Sequence, residues 1–153
     1  MDSTVYPVRG PAVAGWKWAR LHNRATTSCS GCEQDMTWAI PEFVGIPAPA
    51  MACCTTAHGD LHWANLTSPL RILDWEGWGR APQGFDAATL YAYTLLKPDM
   101  AARVRDAFPI LGSRAGLAAE AAVCAQLLQT VARGGNLILA DPLRGWSEEL
   151  RRR

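Results

Sequence analysis

The stretch His58-Gly59-Asp60-Leu61-His62-Trp63-Ala64-Asn65, with Asp74-Trp75-Glu76 beginning nine residues after Asn65, decides how the chain is read. It sets a carboxylate at Asp60, a side-chain amide five residues on at Asn65, and a second carboxylate at Asp74. Phosphoryl transfer calls for such a set. One carboxylate faces the acceptor hydroxyl, while an amide and another carboxylate supply the oxygen donors that hold Mg²⁺ against phosphates. Asp60 and Asn65 taken alone would serve equally well as turn caps, a common use of these residue types. The combination points to chemistry.

The Asp-to-Asn spacing matches the protein-kinase catalytic loop, H-R-D-L-x-x-x-N, whose D-F-G aspartate follows soon after. Here Gly59 stands in place of Arg, and Asp74-Trp75-Glu76 in place of D-F-G. In that variant the chain resembles the aminoglycoside phosphotransferase and choline kinase family, the small-molecule branch of the kinase-like fold. The resemblance runs from about Thr56 to Leu90, through His58-Gly59-Asp60, Asn65, Ile72-Leu73-Asp74-Trp75-Glu76, Gly77, Gly79 and Phe85-Asp86-Ala87-Ala88. It weakens over the helical remainder and is poor before residue 50.

The resemblance implies an α+β, mostly α fold: a protein-kinase-like C-terminal lobe in which a short β-hairpin carries the active site. It implies Mg²⁺ and ATP or GTP as phosphoryl donor, with a hydroxylated small molecule as acceptor. By the same resemblance Asp60 is the catalytic residue, and Asn65 and Asp74 are the metal ligands. His62 would lie near the transferring phosphate, and Glu76 at the substrate or at a second metal through water. His58, which in isolation could be a general base, would support the catalytic loop. Asp86 would hydrogen-bond backbone amides of that loop, and it also reads as an ordinary first-turn acid favoured by the helix dipole.

Residues 1–50 are then a poorly matched leader and connector, and residues 51–153 the lobe. Only 57 residues precede His58. Five strands and a helix need about 40 residues, and connections of ~4–6 residues add some 25 more, before any helix beneath the catalytic loop. The only lysines are Lys17 and Lys97, and neither lies in a strand pattern. No G-x-G-x-x-G occurs, and Gly77-Trp78-Gly79 lacks the frame of a nucleotide fingerprint. A nucleotide lobe is therefore expected to be missing, reduced or supplied by a separate chain. The alternative is a non-catalytic binding module that keeps the acidic pocket.

Composition agrees with a folded domain: 49% of the 153 residues are apolar and 19% charged. A net charge of +1 gives no bulk attraction to nucleic acid or membrane. No apolar run approaches the ~20 residues of a membrane span, and no signal-peptide segment opens the chain, so a cytoplasmic location is expected. Five cysteines, an odd number, argue against a disulfide framework. Cys29 and Cys32 form a C-x-x-C, with Cys53-Cys54 adjacent to each other, a weak zinc or redox signal.

Local patterns predict a short helix at residues 15–22, a polar loop at 26–36 and a proline-rich extended connector at 39–52. Two strands, residues 64–67 and 70–74, are predicted around a Ser68-Pro69 turn, and residues 77–84 form a loop. Helices are predicted at 85–96, at 99–108 with Asp99 as N-cap, at 113–133 and at 142–152. The 113–133 helix carries one apolar stripe, Leu117, Ala121, Cys124, Leu128 and Val131. Leu150-Arg151-Arg152-Arg153 reads as a solvated, frayed helix end.

Overall fold

The computed structural model describes residues 36–51 and 53–153. The predicted helix at 15–22, most of the loop at 26–36, and Lys17, Cys29 and Cys32 lie outside them. A two-stranded antiparallel sheet, β1 (Cys54–Ala57) and β2 (Gly79–Pro82), precedes four α-helices: α1 (Phe85–Ala92), α2 (Pro98–Ala107), α3 (Leu117–Ala132) and α4 (Ala140–Arg151). The protein is α+β and mostly helical.

Helix α3 is the centre of the core. Its run Leu-Ala-Ala-Glu-Ala-Ala-Val-Cys-Ala-Gln-Leu-Leu-Gln-Thr-Val-Ala is rich in alanine, the strongest helix former. Those small side chains let α1, α4, β2 and the leading helical segment pack against it from several sides. The predicted single stripe is therefore too narrow. Ala118, Ala119, Ala122, Ala125 and Leu127 are buried, whereas Leu117, Leu128 and Val131 sit half-buried at the margins. Helix α4 does follow its amphipathic pattern: Leu143, Trp146 and Leu150 are buried on one face. The Trp146 ring meets Tyr91 of α1 edge-on, centroids 5.2 Å apart. Arg105 of α2 stacks on the Tyr91 ring at 4.6 Å and pairs with Glu149 of α4 at 2.6 Å.

The proline-rich connector is helical instead. Residues 36–39 are α-helical and run into a π-helical turn, Ile40–Val44, with Pro41 in its first turn. A proline inside a helical run lacks the N–H for the i→i−4 bond, and the widened π-helical turn accommodates it. Ile40 and Val44 are fully buried, and the turn packs on α3 and α4. Gly45 closes it in the left-handed region, φ 77°, donating its N–H to Ile40 O. Pro98, by contrast, opens α2 at its first position, where its missing N–H forfeits no bond, with Lys97 rather than Asp99 as N-cap.

Two of the three C-terminal arginines, although exposed, reach back onto the fold. Arg151 donates through Nε to Val44 O at 2.6 Å. Arg153 pairs with Oε1 of Glu120 at 2.9 Å and donates to Ser113 O at 2.6 Å. Glu120, 0% exposed in the middle of the helical core, also accepts from Gly112 N–H at 2.9 Å. A buried carboxylate needs a partner, and Arg153 provides it.

Cys54 is disulfide-bonded, although the odd cysteine count argues against a disulfide framework, while Cys53 and Cys124 are free. Burial pushes the Cys124 thiol up to about 12, with Glu120 adding to the rise and Arg151 opposing it. No helix among the described residues is long and apolar enough to cross a membrane.

Two outcomes follow from this packing. Arg153→Ala strands the Glu120 charge in the core and should lower unfolding stability by about 3–5 kcal/mol, and Glu120→Leu added to it should recover part of that loss; urea melts of the three proteins read this directly. In native protein at pH 8, iodoacetamide should modify Cys53 and leave Cys124 intact, as checked by peptide mass mapping.

Candidate active site

Residues 58–78 form a closed excursion from the sheet. The β1–β2 register pairs Ala57 with Gly79, so the two ends of the excursion are held side by side. The predicted loop at 77–84 thus contains a strand, β2, which runs against β1 from Cys54↔Pro82 to Ala57↔Gly79. The predicted hairpin inside the excursion is reduced to one antiparallel bridge, Leu66↔Ile72, around Ser68-Pro69. Residues Trp63–Asn65 form a 3₁₀ turn in place of the first strand.

At the neck Gly59, φ 86°, lies so close to Gly77 that a Cβ would sit 2.2 Å from Gly77 O. Glycine is needed there for backbone sign and for space. Asp86, in the first turn of α1, accepts two consecutive backbone N–H groups, His58 N to Oδ2 at 2.8 Å and Gly59 N to Oδ1 at 3.0 Å.

His58 is buried, 4% exposed. Its Nδ1 accepts the Asp60 N–H at 3.3 Å, which puts the ring proton on Nε2, donated to Leu73 O at 2.8 Å. The Trp75 ring meets it edge-on at 4.8 Å. His58 thereby joins the start of the excursion to its returning side at Leu73.

Asp60, Asn65 and His62 meet. Asn65 donates through Nδ2 to Asp60 O at 2.9 Å and approaches Asp60 Oδ2 at 3.4 Å. His62 Nε2 stands 3.4 Å from Asp60 Oδ2 and the same distance from Asn65 Nδ2. Asn65 is buried, whereas the Asp60 side chain is 49% exposed and open to a ligand.

Asp74 is joined to this group through its neighbour. Leu73 N donates to Asn65 O at 2.8 Å while Leu73 O takes the His58 proton. Asp74 itself is exposed, in the left-handed region at φ 59°, ψ 67°, and its carboxylate makes no cap bond to the turn Trp75–Gly77. Glu76, in that turn, is exposed and has no hydrogen bond or ion pair among the described residues.

The donor chemistry suits a hard cation. With Asn65 Nδ2 turned to Asp60, the amide Oδ1 is left as a neutral oxygen donor, and Asp74, linked to Asn65 only through the backbone of Leu73, carries a second carboxylate. Among the described residues no three His, Cys, Asp or Glu side chains gather in a metal-binding group, so Asp74 does not join Asp60 and His62 in one.

Two features lie outside the motif. Tyr93, whose ring centroid is 5.0 Å from that of His62, falls seven residues after Asp86, two helical turns along the same face, and that spacing was visible in the sequence. Six large apolar side chains of the excursion, Trp63, Leu70, Ile72, Leu73, Trp75 and Trp78, are exposed; each reads singly as an ordinary apolar residue. Comparison of the chain with family models, with curated proteins and with solved structures returns no match.

Gly59→Ala should therefore destabilise the protein by more than the ~1–2 kcal/mol of the left-handed backbone alone, because Gly77 O must also move. Asp86→Ala removes a charged acceptor from two N–H groups and should cost about 1.5–3 kcal/mol. Hydrogen exchange should show faster exchange at His58 and Gly59 in Asp86→Ala than in the parent protein, with α3 unchanged.

Proposed function

We propose that this chain is an O-phosphotransferase of the small-molecule kinase type, acting on a hydroxylated acceptor with ATP or GTP as donor. The observation that supports it most is the contact of Asp60 with Asn65, beside the backbone that delivers Asp74. Asp60 would orient the acceptor hydroxyl and take its proton. Asn65 Oδ1 and the Asp74 carboxylate would hold Mg²⁺, which when bound neutralises phosphate charge. His58 and Asp86 keep the loop in shape from below.

The partner this reading requires is a chain or segment that covers the nucleotide. Among the described residues the one sheet has two strands, and the one lysine, Lys97, is exposed at the start of α2. The exposed apolar side chains from Trp63 to Trp78 suit such a cover. The same observation supports a second reading, a binding module that keeps the acidic pocket without turnover.

Calorimetry with MgATP and MgGTP separates them in part, and turnover completes the distinction. Asp60→Asn should abolish turnover while leaving nucleotide affinity within a few-fold. Asn65→Ala should weaken Mg²⁺ dependence more than it lowers Tm; equal losses would make Asn65 structural. Failure to bind either nucleotide at millimolar concentration would overturn the enzyme reading.

A further inference from the structure

Tyr93 and Asn136 lie outside the motif yet reach its centre through His62. His62 Nδ1 accepts the Ala64 N–H at 3.2 Å, so that nitrogen carries no proton. A neutral imidazole then bears its proton on Nε2. Two atoms face Nε2 at 3.4 Å, Asp60 Oδ2 and Asn65 Nδ2. Asn65 Nδ2 is a donor already served by Asp60 O at 2.9 Å, so the carboxylate is the acceptor of the two. The opposite tautomer would set an Nδ1 proton against a backbone N–H that cannot turn away.

The ring plane is set from the other side. Tyr93 packs on His62 with an interplanar angle of 47°. The Tyr93 hydroxyl takes a hydrogen bond from Asn136 Nδ2 at 3.4 Å. Asn136 is in the turn between α3 and α4 at φ 49°; with Asp74 it is one of two non-glycine residues at positive φ among those described. Such strain persists where the surroundings hold it in place. Burial raises the Tyr93 pKa, the Asp60 charge raises it further, and the Asn136 bond opposes both, so the ring lies within electrostatic reach of the acid.

We propose that Tyr93 is a positioning residue: it holds the plane of the His62 ring so that Nδ1 stays on the Ala64 N–H and the Nε2–H that this leaves is aimed at Oδ2 of Asp60, with Oδ1 as the carboxylate oxygen open to an acceptor hydroxyl. The purpose of that alignment rests on the phosphotransfer reading; the tautomer lock itself does not. His62 is then committed to the acid rather than to a phosphate.

The test is nitrogen NMR of histidine-labelled protein at about pH 8, above the ordinary histidine pKa of ~6.5. The chain has three histidines, and His62→Gln identifies the signal. In the parent protein His62 should show Nδ1 bare and Nε2 protonated. Tyr93→Phe, which loses only the bond from Asn136, should begin to mix the tautomers, and Tyr93→Leu should mix them further. Asn136→Ala, which loosens the tyrosine without emptying its space, should move the pattern in the same direction and serves should Tyr93→Leu not fold. A protonated Nδ1 in the parent, or an unchanged pattern in folded Tyr93→Leu or in Asn136→Ala, would overturn the proposal. Where turnover is measured, Tyr93→Leu should lower kcat roughly 10–100-fold, the range for loss of an orienting group, with the KM for nucleotide unchanged. Absence of turnover in the parent protein counts against the phosphotransfer reading alone, because the tautomer result is read without it.

Discussion

Asp86 is the joint between the helical core and the site. Its two carboxylate oxygens accept consecutive N–H groups of His58 and Gly59, a charge-assisted arrangement stronger than neutral hydrogen bonds. The first turn of α1 favours a negative charge, and the helix behind it is embedded in the core: Phe85 and Ala87–Ala92 are all buried. The chain that follows β1 is thus bolted to the core at the moment it leaves the sheet. His58 carries the constraint onward to Leu73, and Leu73 to Asn65. Remove the anchor, and Asp60 loses the backbone that aims it.

What the sequence made legible was local. The helices from residue 85 onward were visible because their apolar residues recur at helical spacing, and Asp60 and Asn65 were close because five residues separate them. The excursion's own framework was not visible. Gly-Arg-Ala-Pro has neither alternation nor β-branched residues, so β2 is a strand only because β1, far back in the chain, pairs with it. The two expected strands of the hairpin shrank to one bridge because the 3₁₀ turn at Trp63–Asn65 turns the Asn65 amide back to the Asp60 carbonyl. Pro41 was read as a helix breaker, and the widened π-helical turn takes it in instead.

Long-range polar partners were the other illegible part. Nothing near Glu120 in the sequence pairs with it, and the basic residue that does so is Arg153 at the far end of α4. A run of arginines at a helix end invites the reading of solvated charge, yet two of the three reach back into the fold, to Val44 and to Glu120. Tyr93 was overlooked for the converse reason: an aromatic on a buried helix is usually core, and its contact with His62 depends on where the excursion folds back.

The alanine-rich build of α3 carries an implication for how this protein can vary. A helix whose walls are methyl groups has little side-chain volume to lose, since alanine to glycine forfeits about 1 kcal/mol of helix preference and only one carbon. It has as little room to gain, because α1, α4 and the leading turn already stand against it, and inserting methylenes into a filled interior costs ~1–3 kcal/mol each time. Tolerance in this molecule should accordingly be distributed unevenly: the exposed apolar side chains within residues 63–78 can drift, while the narrow central rod can exchange almost nothing without its neighbours shifting in concert.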